Sequence, residues 1–264
     1  GRLLGPTTLG LYSLAYTFVR TPANHLVVTL QNVLFSASAR AQDNQAGLQR
    51  AYLTVVSAIS LVVIPVFAGV AAVPYTVIDG IFGHKWLAAA QVLMPLSLAM
   101  ILHAIMAVTG PVLSGKGAAS AEFKVQFWVA LALIASLLIA ARYSVVAVAW
   151  AVCGVYALRL VGMVITLVHH VQLPALAFLR ALRGGVIVGA PVVSVLLLAD
   201  MNLTGLAPLA RLLLEIFLAA ATYLLTIRVF QRQVIVAELR AVLLSWAGHS
   251  GLVKRGCRLM GLGV

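Results

Sequence analysis

Seven apolar stretches, each long enough or nearly long enough to cross a lipid bilayer, follow one another along this chain with only short polar gaps between them. A spanning helix needs about 20 predominantly apolar residues, because each residue advances the axis by only ~1.5 Å. No water satisfies backbone N–H and C=O groups inside hydrocarbon, so each spanning segment must pair them internally, as a helix does. Barrel strands would be shorter and would alternate polar with apolar residues. The chain is 63% hydrophobic and only 9% charged, whereas soluble domains carry roughly a quarter charged residues. The expected fold class is an all-α integral membrane protein.

Hydropathy predicts helices over 9–36, 49–75, 86–113, 121–141, 144–170, 182–200 and 206–230, with polar or turn-rich gaps between them. Pro65, Pro95 and Pro191 fall inside these segments and are expected to kink them. Gly185 and Gly189, one turn apart, allow another helix to approach closely. Residues 231–246 read as an amphipathic helix, with Ile235, Leu239, Val242, Leu243 and Trp246 on one face and Arg232 and Arg240 as polar anchors. The expectation there is a helix lying at the inner membrane surface.

The basic residues orient the chain. With the loop after the first helix placed inside, the inner side holds Arg40, Arg50, Lys116, Lys124, Arg180, Arg183, Arg228, Arg232, Arg240, Lys254, Arg255 and Arg258. The outer side holds Arg2, Lys85, Arg142 and Arg211. Cytoplasmic loops carry the excess of Lys and Arg, so the tail is expected in the cytoplasm and the chain start outside. That start, together with Gly1 as the first residue, implies that earlier spans precede this segment. The net charge of +12 therefore reflects membrane topology and not a nucleic-acid surface, since the cations are not gathered on one soluble face. Cys153 and Cys257 lie far apart and define neither a disulfide framework nor a metal set.

The first helix carries the most informative side chains. At 100° per residue, Ser13, Thr17, Arg20, Asn24 and Gln31 fall within about 60° of arc. An arginine at mid-span costs roughly 2.5–3.5 kcal/mol on insertion scales, so it should face a bundle interior or a watery cavity that holds an anion. Arg159 lies deep in the fifth helix, with Tyr156 and Thr166 at helical spacing. Glu215 is the carboxylate deep within a predicted span, whereas Glu122 and Asp200 stand at span ends, and it either couples an ion or neutralises an arginine. His25 and His103 also lie within spans, where a histidine either relays protons or bonds across helices. His169 and His170 lack the further ligands that a metal site needs. Asn202-Leu203-Thr204 matches a glycosylation sequon, a pattern of low specificity. No Gly-rich phosphate loop, nucleophile elbow or metal-binding helix motif occurs, and only six acidic residues are present. The residues favour transport over catalysis, with no cofactor.

The opening GRLLGPTTLGLYSLAY (1–16) resembles the G-R-x-L-G-P-x-x-x-G-x-Y-S-x-A segment of bacterial polysaccharide flippases. Pro22, VLFSASARAQD (33–43), RAYL (50–53), IPVFAG (64–69), IFGHKW (81–86) and TGPVLSGKG (109–117) follow in the family's order. The matches cover about residues 1–120. Ser36 departs from the pattern, standing where the family often has proline and a local helix break.

The resemblance places the chain in the polysaccharide branch of the multidrug, oligosaccharidyl-lipid and polysaccharide exporter superfamily. It implies the C-terminal lobe of a two-lobe exporter, with about seven transmembrane helices corresponding to the eighth to fourteenth of the family. Residues 1–170 would line the cavity, 171–230 would form two extra helices with a groove for a lipid tail, and 231–264 would be the cytoplasmic basic tail. The implied activity is translocation of undecaprenyl-pyrophosphate-linked oligosaccharide across the bacterial inner membrane by alternating access. Arg20 would meet the pyrophosphate, and Thr17, Asn24 and Gln31 the sugar hydroxyls, with Arg159 a further substrate-binding candidate. Glu215, His25 and His103 are candidates for ion coupling. Membrane lipids and an N-terminal lobe of the same protein are the expected partners, with no nucleic acid. A multidrug exporter and a membrane glycan polymerase or ligase are the alternatives. The first predicts acidic cavity residues and the second long outer loops.

Overall fold

A computed structural model of the chain describes residues 5–40 and 45–230. Among them, nine α-helices follow one another: α1 Pro6–Arg40, α2 Gln45–Ala72, α3 Pro74–Phe82, α4 Ala90–Ala107, α5 Thr109–Gly115, α6 Ala119–Ala140, α7 Val145–Val171, α8 Ala175–Asn202 and α9 Pro208–Val229. A 3₁₀ segment, His84–Ala89, leads into α4. The chain is an all-α, multi-pass membrane protein.

The helix count differs from the expected seven. Six stretches among the described residues are long and apolar enough to cross a membrane: α2, the continuous unit His84–Gly115, α6, α7, α8 and α9. Helix α1 is long enough at 35 residues, but its polar face dilutes its apolarity. The expected helix 49–75 ends at Ala72, and Pro74 starts the separate short helix α3 with its ring at a position that needs no N–H. Gly83 closes α3 at φ +87°, a conformation that only glycine adopts without strain, and its N–H bonds to the carbonyls of Ile78 and Asp79. The expected helix 86–113 is divided between the 3₁₀ segment, α4 and α5. Helix α8 starts at Ala175, seven residues before the predicted 182. The backbone of α1 runs unbroken through Ser36, which lacks the ring that a proline would bring. The tail 231–264 lies outside the described residues.

Packing follows from where side chains are absent. A Cβ on Gly185 would stand 2.3 Å from the Ser60 carbonyl oxygen, and one on Gly189 would stand 3.0 Å from Ile64. The two glycines thus let α8 lie directly on α2, as close helix pairs in membranes require. Ser60 adds a hydrogen bond from its Oγ to the Ala181 carbonyl at 3.3 Å. Helix α4 packs on α1, α2 and α7, α7 carries α6, and α9 lies against α8 and α3. The core runs through Tyr52, Phe67, Leu96, Met100 and Met163, all buried. Helix α6 turns Phe127, Trp128, Ile134 and Leu138 outward, as suits a helix facing lipid.

Each end of the bundle has its own polar fastening. At the end bearing Arg50, Lys116, Lys124, Arg180 and Arg228, the amides of Gln45 and Gln49 donate to the Val171 carbonyl at 3.0 and 2.9 Å. At the other end, Thr76 donates to Asp200 at 2.7 Å and Arg211 bridges Asp200 to Glu215. The basic residues and the acidic cluster therefore lie at opposite ends.

Candidate functional site

Helix α1 leaves one long face uncovered. Ser13, Thr17, Arg20 and Thr21 are exposed on it, midway along the helix. Beside this face, Tyr12 and Tyr16 stack at 5.9 Å between ring centroids, one turn apart. The guanidinium of Arg20 lies over the Tyr16 ring, 5.4 Å from its centroid, within the range of a cation–π contact.

Two other helices bring their polar groups to this point. Tyr156 of α7 lies close to the Tyr16 side chain. His103 of α4 stacks on Tyr156 at 5.6 Å. Arg159 follows Tyr156 at i+3, on the same side of α7. The charges of Arg20 and Arg159 both act on His103. Three helices thus converge on two guanidiniums, an imidazole and three phenols.

The site is short of negative charge. Among the described residues, neither Arg20 nor Arg159 has a carboxylate within ion-pair distance. Glu122 acts on Arg159 only at longer range, and it occupies the space left by Gly110, where a Cβ would stand 2.8 Å from its Oε1. Arg159 Nε and His103 Nδ1 are both buried atoms without a hydrogen-bond partner among the described residues. Buried polar atoms are normally paired, because an unpaired one costs about 1–3 kcal/mol. A buried guanidinium donor with no acceptor, close to a second guanidinium, forms an arrangement complementary to an anion.

The remaining candidate residues separate. Thr17 faces a different depression, of about 790 Å³, with Ser13, Phe18, Val66, Val70 and Phe82. Asn24 is half-buried, and His25 is exposed five residues beyond Arg20. Gln31 is committed to structure through its amide. Pro111 has no N–H to offer the Ala107 carbonyl four residues back, and Gln31 Nε2 donates to that oxygen instead. Thr166 returns its hydroxyl to Gly162 on its own helix, at 2.8 Å.

Glu215 pairs with an arginine on its own helix. Arg211 Nε reaches Glu215 Oε1 at 3.2 Å, while its Nη2 donates to both the backbone and the carboxylate of Asp200. Glu215 also borders an apolar groove of about 470 Å³ between α2, α8 and α9, lined by Val66, Val70, Leu196, Ile216 and Tyr223. The sequence reading had anticipated neither Tyr12 nor Tyr16. Their i, i+4 spacing beside the polar stripe is the signal that the sequence carries.

Comparison with known proteins agrees with this architecture. The family described as "Polysaccharide biosynthesis protein" matches residues 1–91. That match takes in about the first third of the chain. It is 32% identical over 123 residues to the teichuronic acid biosynthesis protein TuaB of Bacillus subtilis (strain 168), covering 47% of this chain and 26% of that one. It is 28% identical over 123 residues to the lipopolysaccharide biosynthesis protein WzxC of Escherichia coli (strain K12), covering 47% and 25%. In fold it resembles the lipid II flippase MurJ in an inward closed conformation, with a TM-score of 0.69 at 17% identity over 88% of this chain and 49% of that one. The matched segment thus spans about a quarter of the length of the curated relatives, and the fold match about half of the flippase.

Two of the matching motifs meet inside this lobe. The tyrosine of RAYL, Tyr52, hydrogen-bonds to the threonine of TGP, Thr109, in the core at 3.2 Å. The last glycine of TGPVLSGKG, Gly117, sits at φ +70° and turns the chain from α5 into α6.

Proposed function

We propose that this chain is the C-terminal lobe of a flippase that carries an undecaprenyl-pyrophosphate-linked oligosaccharide across the bacterial inner membrane. The observation that carries this reading is the convergence of the exposed Arg20 with Arg159 and His103, where the buried Arg159 Nε and His103 Nδ1 have no hydrogen-bond partner among the described residues. A pyrophosphate supplies acceptor oxygens and negative charge at that point. The charge-assisted bonds offset the desolvation of both partners. Tyr12, Tyr16 and Tyr156 present ring faces and hydroxyls to the sugar next to it. Thr17 and Asn24 extend the polar surface along α1.

The groove between α2, α8 and α9 suits the hydrocarbon tail, since nearly all of its lining is apolar. Helices α8 and α9 therefore act as an addition to the cavity-lining helices of residues 1–170. The uncovered face of α1 is the surface on which the other lobe of the same protein completes the cavity, and alternating access follows from rocking of the two lobes. The excess of Lys and Arg at one end supports a cytoplasmic C-terminus.

The test uses the full-length protein in cells lacking their own flippase. Wild type restores surface glycan. Arg20→Ala and Arg159→Ala, expressed at the same level in the membrane, do not. Normal glycan from both variants refutes the anion site. Failure of wild type, when well expressed, refutes the flippase reading.

A further inference from the structure

Glu215 is the most deeply buried carboxylate among the described residues, 1% exposed, and only half of it is accounted for. Its Oε1 receives Arg211 Nε at 3.2 Å, whereas its Oε2 has no hydrogen-bond partner among the described residues. The side chain borders the apolar groove on one side. On the other, Arg211 and Asp200 border a polar cavity of about 350 Å³ at the end of the bundle. The charges at this point do not balance. Arg211 is shared between two carboxylates, Asp200 and Glu215, so one negative charge is left over. The other ionisable groups facing the cluster do not cancel it. Asp79 on α3 lines the polar cavity and adds negative charge, with the exposed His84 3.7 Å away. Tyr75 on α3 and Tyr223 on α9 are neutral phenols in the two cavities, and α2 contributes only apolar side chains to the groove.

An uncompensated charge at membrane depth is expensive, and so is a buried oxygen without a donor. A single monovalent cation removes both costs. We propose that Glu215, with Asp200 beside it, forms a binding site for one monovalent cation, a proton or a sodium ion, held at Glu215 Oε2. The polar cavity gives the ion its way in from the end of the bundle that carries Asp79 and Asp200. Binding itself stands without any assumption about transport. Its use as the coupling ion rests on the flippase reading: the ion sits on the wall of the proposed tail groove, so its arrival changes the polarity of that wall and the packing of α9 on α2 and α8.

The test is thermal unfolding of the purified full-length protein in lipid nanodiscs. Sodium is exchanged for choline at constant ionic strength, and separately the pH is varied without sodium. Stabilisation by sodium identifies sodium as the ion, and stabilisation by acid without a sodium effect identifies the proton. Glu215→Gln keeps the shape and the bond to Arg211 but removes the charge, so the response should weaken about tenfold or more in apparent affinity. Asp200→Asn leaves Arg211 and Glu215 as a balanced pair and should weaken it in the same direction. A response that persists unchanged in both variants, or no response in wild type, overturns the site. If the response behaves as expected while full-length wild type fails to restore surface glycan, the site stands and the flippase reading falls.

Discussion

The hydroxyl of Tyr52 lies 3.2 Å from Thr109 Oγ1, both side chains buried, so α2 and the start of α5 are joined by a bond between residues 57 positions apart. Either oxygen serves as donor. The bond fixes the depth at which the unit His84–Gly115 sits against α2. Tyr52→Phe leaves Thr109 without that partner and should destabilise the lobe by about 1 kcal/mol, within the range for buried hydrogen bonds. A lowered thermal midpoint of the full-length protein in nanodiscs is the expected result. An unchanged midpoint would show that the phenyl ring alone holds the contact.

Gly185 sets the distance between α2 and α8. Its missing Cβ leaves room for the Ser60 carbonyl, a backbone group that no rotamer change can move aside. Gly185→Ala should therefore cost about 1–3 kcal/mol through overpacking. Gly154→Ala is the matched control, because nothing lies within 4 Å of a Cβ there. Yield and thermal midpoint should fall for the first and not for the second. Equal behaviour of the two proteins would contradict the close packing.

Gln31 replaces the hydrogen bond that Pro111 cannot make to Ala107. Gln31→Leu strands that carbonyl at the join of α4 and α5, at a cost of about 1–3 kcal/mol if it stays buried. Replacing Pro111 by Ala in the same protein restores an N–H and should recover part of the loss. The double mutant cycle over these two positions measures the coupling. A cycle that closes to zero would mean that the two residues act independently.

Arg211 holds two carboxylates. Arg211→Met leaves Asp200 and Glu215 facing each other without a cation, and because Asp200 is partly exposed the cost should fall below the ~3–5 kcal/mol of a fully buried pair. Arg211→Lys keeps the charge but not the fork, and should fall between wild type and Met. The thermal midpoints of the three proteins should descend in that order. Equal midpoints for Lys and wild type would reduce the contribution of the fork to its charge alone.

Arg159→Gln tests the anion site without changing the volume much. In the full-length protein, affinity for a lipid-linked pyrophosphate should fall about tenfold or more, as expected for the loss of a charge-assisted bond worth ~1.5–3 kcal/mol. Binding measured in nanodiscs separates this from folding, which the thermal midpoint reports. An affinity equal to wild type would leave Arg20 and His103 as the anion ligands.

The fold was largely legible in the sequence where the physics is local. Membrane spans announce themselves by apolar length, since lipid removes every alternative for the backbone. The breaks were less legible. Pro65, Pro95 and Pro191 lie within continuous helices, whereas Pro74 begins one. A proline's effect depends on whether neighbours satisfy the carbonyl that it leaves unpaired, and those neighbours come from distant parts of the chain. The site was half legible. Arg20 and Arg159 stood out because a charge inside an apolar run has few explanations. Gln31 had the right spacing for the polar stripe but is bound to Ala107. Spacing reports the angle around one helix and says nothing about what lies opposite.

By itself, the sequence determined that the chain spans a membrane as helices, which end of the bundle is basic, and which few charges must be explained. These follow from transfer free energies that each residue carries with it. The tertiary structure alone decided that Arg20, Arg159 and His103 meet beside three tyrosines, that Gly185 rests on Ser60, and that Glu215 shares Arg211 with Asp200. Those relationships depend on the rotation and depth of one helix against another. Packing of whole surfaces sets these, and no single stretch of the chain encodes them.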